Sequence, residues 1–141
     1  MTSTWSPVQA TAIRLLPGQD LKSELIDFAR THELQAAAVI SVVGSLSQVA
    51  LRFANCPDKT LVEGKHEILS LSGTLSENGI HLHMCVANSQ GQTLGGHVTE
   101  GSIIYTTAEV VIAEMSGLVF ERNLCHKSGF LELEVKTRTE K

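Results

Sequence analysis

The segment GIHLHMCVANSQGQTLGGHVTEG, residues 79–101, decides the fold prediction because it reads as a strand, a turn and a returning strand. Successive side chains of a strand point to opposite faces. Within residues 80–86, His81, His83 and Cys85 therefore share one face. The opposite face is entirely apolar, and we expect it to pack in the core; its members are Ile80, Leu82, Met84 and Val86.

The turn residues of this segment predict a hairpin that brings a third histidine back to the first two. Residues 88–92 are Asn, Ser, Gln, Gly and Gln, a composition typical of turns. A reversal near residue 89 or 90 places His97 opposite His81 or His83, where Cβ atoms lie ~4.5–5.5 Å apart. A β-bulge at the adjacent glycines 95 and 96 would shift this register, and glycines also allow a ligand or another chain to approach closely.

Three neutral imidazoles around one point are a donor set that suits Zn²⁺ or a similar divalent transition metal. Such a site leaves a fourth position for water, an acidic ligand or a substrate. The simpler alternative is a solvated polar strand face, which is all that the His81–His83 pair would indicate alone. The third histidine on the return strand, His97, favours a metal or ligand site. Cys85 is an alternative ligand on the same face, and its position suits core packing or a subunit contact at least as well.

Few residues are candidates for acid–base chemistry, and none is assigned a catalytic role. Glu100 follows His97 closely, His66 is expected in a loop, and Glu109 interrupts an apolar run. For Glu109, a structural ion pair or exposure at a sheet edge is the favoured interpretation, because burying an isolated carboxylate is costly. Arg14 and Arg52 lie within strand patterns and are possible ion-pair partners or anion-binding groups. The sequence contains no GxSxG, Walker or GxGxxG motif.

Composition restricts the class of protein. The 141 residues carry a formal charge of −4 and no basic cluster before the short tail, which argues against a free-standing binder of duplex DNA. Three cysteines without a CxxC pair indicate reduced thiols. The beginning of the chain resembles no secretory signal, and no run is apolar enough for a membrane span. We therefore expect a cytoplasmic protein without a membrane partner.

The remaining patterns predict an α+β fold: a single domain with an antiparallel or mixed β-sheet and one main helix packed on it. The helix begins after a cap at Asp20. Residues 36–43 read as a strand buried on both faces, Gly44 as a break, and residues 56–65 as a surface loop. The domain is expected over residues 8–135, with flexible termini at 1–7 and 136–141. The other expected strands are 8–16, 46–53, 67–75, 80–86, 103–115, 118–120 and 130–135.

Five segments in order resemble the Plants and Prokaryotes Conserved (PPC) domain family, in its stand-alone bacterial type. These are RLLPGQDL (14–21), AAVISVVGSLSQVALR (37–52), EGKHEILSLSGTLS (63–76), residues 79–101 and AEVVIAEM (108–115). In plant nuclear proteins this domain follows AT-hooks, which are short Arg-Gly-Arg elements that do not occur in these residues.

The resemblance implies a homotrimer of compact sheet-and-helix subunits. It also implies that His81, His83 and His97 bind a metal, usually discussed as zinc, although plant members lack these histidines. Many bacterial relatives carry the label of predicted DNA-binding protein. In the plant proteins the domain's inferred role is protein–protein association, with the EILSLSG segment (67–73) among the contact regions.

Three functions follow, in order of preference. The first is a homotrimeric, zinc-binding protein with a regulatory or ligand-binding role, in which a small molecule binds at the metal. The second is a DNA-binding or transcription-associated protein, which the family label supports and the acidic charge balance disfavours. The third is a metal-dependent enzyme that acts on a small molecule. Binding is favoured over turnover because no positioned acid or base is evident.

Overall fold

The structure is a computed structural model that describes residues 5–138. Within that range the chain forms one α-helix and eight β-strands. Alternating apolar patterns and turn residues produce this strand-rich order. The elements are β1 (Val8–Leu15), α1 (Leu21–Thr31), β2 (Ala37–Arg52), β3 (Thr60–Ser76), β4 (Gly79–Ala87), β5 (Thr93–Val98), β6 (Ile103–Met115), β7 (Leu118–Leu124) and β8 (Leu131–Thr137).

Six strands form one sheet in the order β1-β6-β2-β3-β4-β5, and every pairing in it is antiparallel. The end of β2 also pairs with β5, through Leu51 with Val98 and Arg52 with His97. The sheet therefore closes on itself over β2, β3, β4 and β5. Strands β7 and β8 form a separate antiparallel pair. The predicted α+β domain with an antiparallel sheet is confirmed.

The helix begins and packs as predicted. The Asp20 side chain accepts a hydrogen bond from the Ser23 amide at 2.9 Å, which satisfies one of the free amides at the helix start. Leu21, Leu25 and Ala29 recur at helical spacing and are fully buried in the core that α1 shares with the sheet. No helix in the described part of the chain is long and apolar enough to cross a membrane.

The predicted break at Gly44 is wrong, because β2 runs continuously from Ala37 to Arg52. Its pairing with β6 shifts register between Gly44 and Leu46, so the strand bends there without ending. A Cβ atom on Gly44 would lie 2.2 Å from the carbonyl oxygen of Thr107. The glycine therefore serves the close approach of β6.

The prediction that residues 36–43 are buried on both faces is also wrong for the single chain. Val42 is buried, whereas Ile40 is 58% exposed and Val43 is 63% exposed. The side of β2 that carries Val42 packs in the core, whereas Val43 on the other side is exposed in the described chain. An unbroken apolar run cannot distinguish burial within one chain from an apolar surface on it.

Two boundaries differ from the prediction at the edges of strands. Strand β3 begins at Thr60, inside the predicted loop 56–65, because its first residues pair with the last residues of β2. Strand β8 continues to Thr137, two residues past the end of the predicted strand 130–135, because Lys136 and Thr137 pair with β7. Residues 1–4 and 139–141 of the predicted flexible termini lie outside the described residues.

Candidate metal centre

The hairpin places the three histidines on one surface. Strand β4 carries His81 and His83, and β5 places His97 directly opposite His83. The register of this pair is continuous from His83 to Ala87, so glycines 95 and 96 form no bulge in it. Leu82, Met84 and Val86 are buried on the other side, as alternation predicted.

Gly96 has a packing role beside the cluster. A Cβ atom there would lie 2.9 Å from the carbonyl oxygen of Arg52. The missing side chain therefore lets the end of β2 approach β5, which closes the sheet behind His97. The glycine thus admits a strand of the same chain, which is neither the ligand nor the second chain expected from the sequence.

The ligand atoms of His81, His83 and His97 all lie within 4.8 Å of one another. The Nε2 atoms of His81 and His83 are 3.2 Å apart. Two nitrogen ligands of a tetrahedral Zn²⁺ at ~2.05 Å are expected to lie about 3.3 Å apart. The separation of these two nitrogens therefore fits a shared cation.

His97 supplies a second sign that the cluster fits a metal. Its Nδ1 atom is buried and has no hydrogen-bond partner among residues 5–138. An unpartnered buried polar atom is costly, and such atoms often mark a missing ion or water. The three imidazoles are thus a donor set of the right chemistry, with one nitrogen that the described chain leaves without a partner.

The environment favours the neutral form of His81 and His97, which is the form that binds metal. Burial, followed by the influence of His81 and Arg52, lowers the pKa of His97 from 6.5 to about 4. Burial and the neighbouring His83 lower the pKa of His81 as well. Both shifts disfavour protonation because a charged imidazole would lose hydration and face other positive groups.

We expect the metal-free protein to lose stability as the pH falls from 6.5 towards 4, in part because of His97. In that range the unfolded histidine binds a proton while the folded one, with its pKa at about 4, does not. Above pH 6.5 both are neutral and the contribution vanishes. The midpoint of urea unfolding in chelator should therefore depend less on pH in His97→Gln than in the wild type. Equal pH dependence in both proteins would contradict this.

Two arginines lie beside the histidines. Arg52 is the cross-strand neighbour of His97 on β2. Arg122, on β7, donates a hydrogen bond to Thr74 Oγ1 at 2.6 Å, and Thr74 is the β3 neighbour of His81. Both arginines line a cavity of about 810 Å³ together with His81 and His97. This volume is typical of small-molecule sites.

The acid–base candidates chosen from the sequence are not in the cluster. His66 is not in a loop but buried in β3, where its Nδ1 lies 2.8 Å from the carbonyl oxygen of Gly64. Glu100 and Glu109 are exposed, and Glu109 has no ion-pair partner within the described chain. Cys85 is outside the group of converging ligand atoms.

Sequence reasoning missed both charged residues that the β7–β8 hairpin contributes to the cavity, Arg122 and Glu132. Both belong to the β7–β8 hairpin, which is far from the histidines in sequence. No local pattern in the sequence links either charge to the histidines. Arg52 was singled out from the sequence as a possible anion-binding group, and it does line the cavity.

Residues 3–116 match the Plants and Prokaryotes Conserved (PCC) domain, the family abbreviated PPC above. The chain belongs to this family. The match includes β1 to β6 and therefore all three histidines. The resemblance inferred from five short segments is confirmed.

Relatives of the PCC chain include large proteins. The bifunctional protein GlmU of Synechococcus sp. (strain JA-3-3Ab) is 51% identical over 124 residues, 88% of this chain and 20% of that protein. The AT-hook motif nuclear-localized protein 16 of Arabidopsis thaliana is 30% identical, over 82% of this chain and 47% of that protein. The PCC chain thus spans a fifth to a half of the length of these curated relatives.

Solved structures share the fold over almost the whole chain. A hypothetical protein from Salmonella cholerae-suis has 41% identity and a TM-score of 0.94, covering 96% of this chain and 99% of that one. The metal-containing protein AF0104 from Archaeoglobus fulgidus has 24% identity and a TM-score of 0.83, covering 95% and 99%. At 24% identity, the similarity to AF0104 establishes a shared fold and nothing more.

Proposed function

We propose that this PCC-domain protein binds one divalent transition metal, zinc in the first place, through His81, His83 and His97, and has a regulatory or ligand-binding role. The observation that carries the proposal is the convergence of the three imidazoles, with the buried Nδ1 of His97 left without a partner. None of the acid–base candidates chosen from the sequence lies in the described cluster, which favours binding over turnover.

Each histidine has a distinct part in holding the ion. His81 and His83 sit on one strand, so the pleat of β4 sets the spacing of their Nε2 atoms. His97 approaches from β5, which fixes the third direction. A bound zinc would supply a Lewis acid with an open coordination position for a ligand. The A. fulgidus relative, described as a metal-containing protein, supports a metal in this fold.

Metal analysis of protein purified without a histidine tag tests the proposal. After exhaustive dialysis against metal-free buffer and titration with zinc, we expect about one tightly bound zinc per chain. A chain that keeps no stoichiometric zinc, nickel, cobalt or manganese would overturn the proposal.

We also propose that the chain assembles as a homotrimer. The single chain exposes Ile40, Val43 and Leu69 on β2 and β3, and Leu69 lies in the EILSLSG segment. The β7–β8 hairpin exposes further apolar side chains on β8, namely Leu133 and Val135. Contiguous exposed apolar surface of this kind is typical of subunit contacts, and a second copy is the occupant we propose.

We expect a solution mass of three times the 15.2 kDa chain by light scattering. Val43→Asp should shift the mass towards that of the monomer, because it places a charge within the apolar patch. Arg30→Asp, in the exposed last turn of the helix, is a control that should leave the mass unchanged. A wild-type mass equal to one chain at micromolar concentration would contradict the proposal.

A DNA-associated role is the second candidate, because the plant relative is an AT-hook motif nuclear-localized protein. The net charge of −4 opposes it, since DNA-binding surfaces usually concentrate Lys and Arg. A mobility-shift assay with random duplex decides between the two: a shift that persists at moderate salt would favour DNA binding.

A further inference from the structure

A row of residues across three strands joins the histidine cluster to a positive charge. His83 on β4 faces His97 on β5, and His97 in turn faces Arg52 on β2. Directly paired residues of neighbouring strands point to the same face of a sheet. The guanidinium of Arg52 therefore belongs to the same surface as the imidazoles, and it lines the same cavity.

A second positive charge reaches the cluster from the hairpin. Thr74 holds the guanidinium of Arg122 against the side of the cavity next to His81. Arg122 is half-buried, and this burial lowers the pKa of its guanidinium. Within residues 5–138 no carboxylate lies within 4.0 Å of Arg52 or Arg122. Each guanidinium therefore keeps donors available for another partner.

The other residues that line the cavity determine the kind of molecule that fits in it. Ile80, Phe130 and Leu131 provide apolar surface, and Glu132 is the single acidic residue of the lining. Two guanidinium groups outweigh one carboxylate, so the cavity carries net positive charge even before a metal is added. A planar anionic group with an apolar body matches guanidinium donors next to an aliphatic and aromatic wall.

We propose that this cavity binds a small organic carboxylate, with Arg52 and Arg122 pairing with the anionic group beside the three histidines. The proposal deepens the proposed function by naming the ligand class of that site. It rests on the metal centre only for the charge that zinc would add to that of the two arginines. The two arginines favour a negatively charged ligand, and Ile80 and Phe130 contact the apolar part of that ligand. Neutral analogues of the same shape lose the charge-assisted hydrogen bonds.

The experiment compares benzoate with benzamide, which have nearly the same shape and differ in charge. Isothermal titration is performed on zinc-loaded full chain. Benzoate is expected to bind about tenfold more tightly than benzamide or better, because a charge-assisted hydrogen bond is stronger than a neutral one. Arg52→Met and Arg122→Met should each weaken benzoate binding by about tenfold and leave benzamide binding nearly unchanged.

Two control variants test whether charge within the cavity is responsible. Glu132→Gln removes the opposing carboxylate and should tighten benzoate binding. Arg30→Met removes an equal charge from the exposed last turn of α1 and should leave it unchanged. Thermal unfolding and zinc content of each variant show that fold and metal are retained.

The outcomes separate this proposal from the metal centre. Equal affinity for benzoate and benzamide in zinc-loaded protein overturns the carboxylate site while the metal centre stands. An equal loss in Arg30→Met also overturns it. If the wild type holds no zinc yet still prefers benzoate in an arginine-dependent way, the metal centre fails and the carboxylate site is upheld.

Discussion

Replacing His97 by alanine is expected to weaken zinc binding by about a hundredfold or more, since even residues that only orient a ligand are worth 10–100-fold. His97 is the only member of the cluster on β5, and its ring centroid lies 5.0 Å from that of His81 and 5.7 Å from that of His83. Its removal leaves two ligands on one strand. Competition of the zinc-loaded protein with a chromophoric chelator measures the affinity.

His126→Ala is the matched control for this variant. His126 is exposed in the loop between β7 and β8 and lies outside the cluster. Its loss should leave zinc affinity unchanged. An affinity in His97→Ala equal to that of the control would mean that the three imidazoles do not form the site.

Replacing Gly44 by alanine is expected to destabilise the domain by about 3 kcal/mol or more, which is the upper end for overpacked cores. The new methyl group would meet the Thr107 carbonyl oxygen at 2.2 Å and the Ala108 Cα atom at 2.7 Å. Both are backbone atoms of β6, so neither can move away without separating two central strands. Urea unfolding in the presence of chelator measures the loss without a contribution from metal.

Gly91→Ala provides the comparison for Gly44→Ala. Gly91 has a φ of +74° in the β4–β5 turn and no atom within 4 Å of a new Cβ. Its replacement introduces only backbone strain of about 1–2 kcal/mol. A loss in Gly44→Ala no larger than in Gly91→Ala would show that β2 and β6 are not held as closely as described.

The sequence predicted the hairpin well because its signals are local. The alternation of side chains along the strand placed Leu82 and Met84 on the face opposite the histidines. The turn residues predicted the chain reversal that pairs His83 with His97. Both signals depend on neighbours within about ten residues. The choice between His81 and His83 as the partner of His97 needed the structure, because register depends on the exact turn.

The rest of the candidate site arises from contacts between distant segments. Arg52 comes to His97 only because the sheet closes from β2 to β5. Arg122 and Glu132 arrive with a hairpin whose placement has no local signal. Gly44 illustrates the same limit: a glycine that breaks a strand and one that admits a neighbouring strand have the same sequence signature.

Anomalous diffraction from crystals of the untagged, zinc-loaded protein tests the metal centre most directly. Data collected above and below the zinc absorption edge should show one strong difference peak per chain, within about 2.0–2.1 Å of one nitrogen of each of His81, His83 and His97. A map without an edge-dependent peak between these three histidines, from protein that was saturated with zinc, would contradict the account.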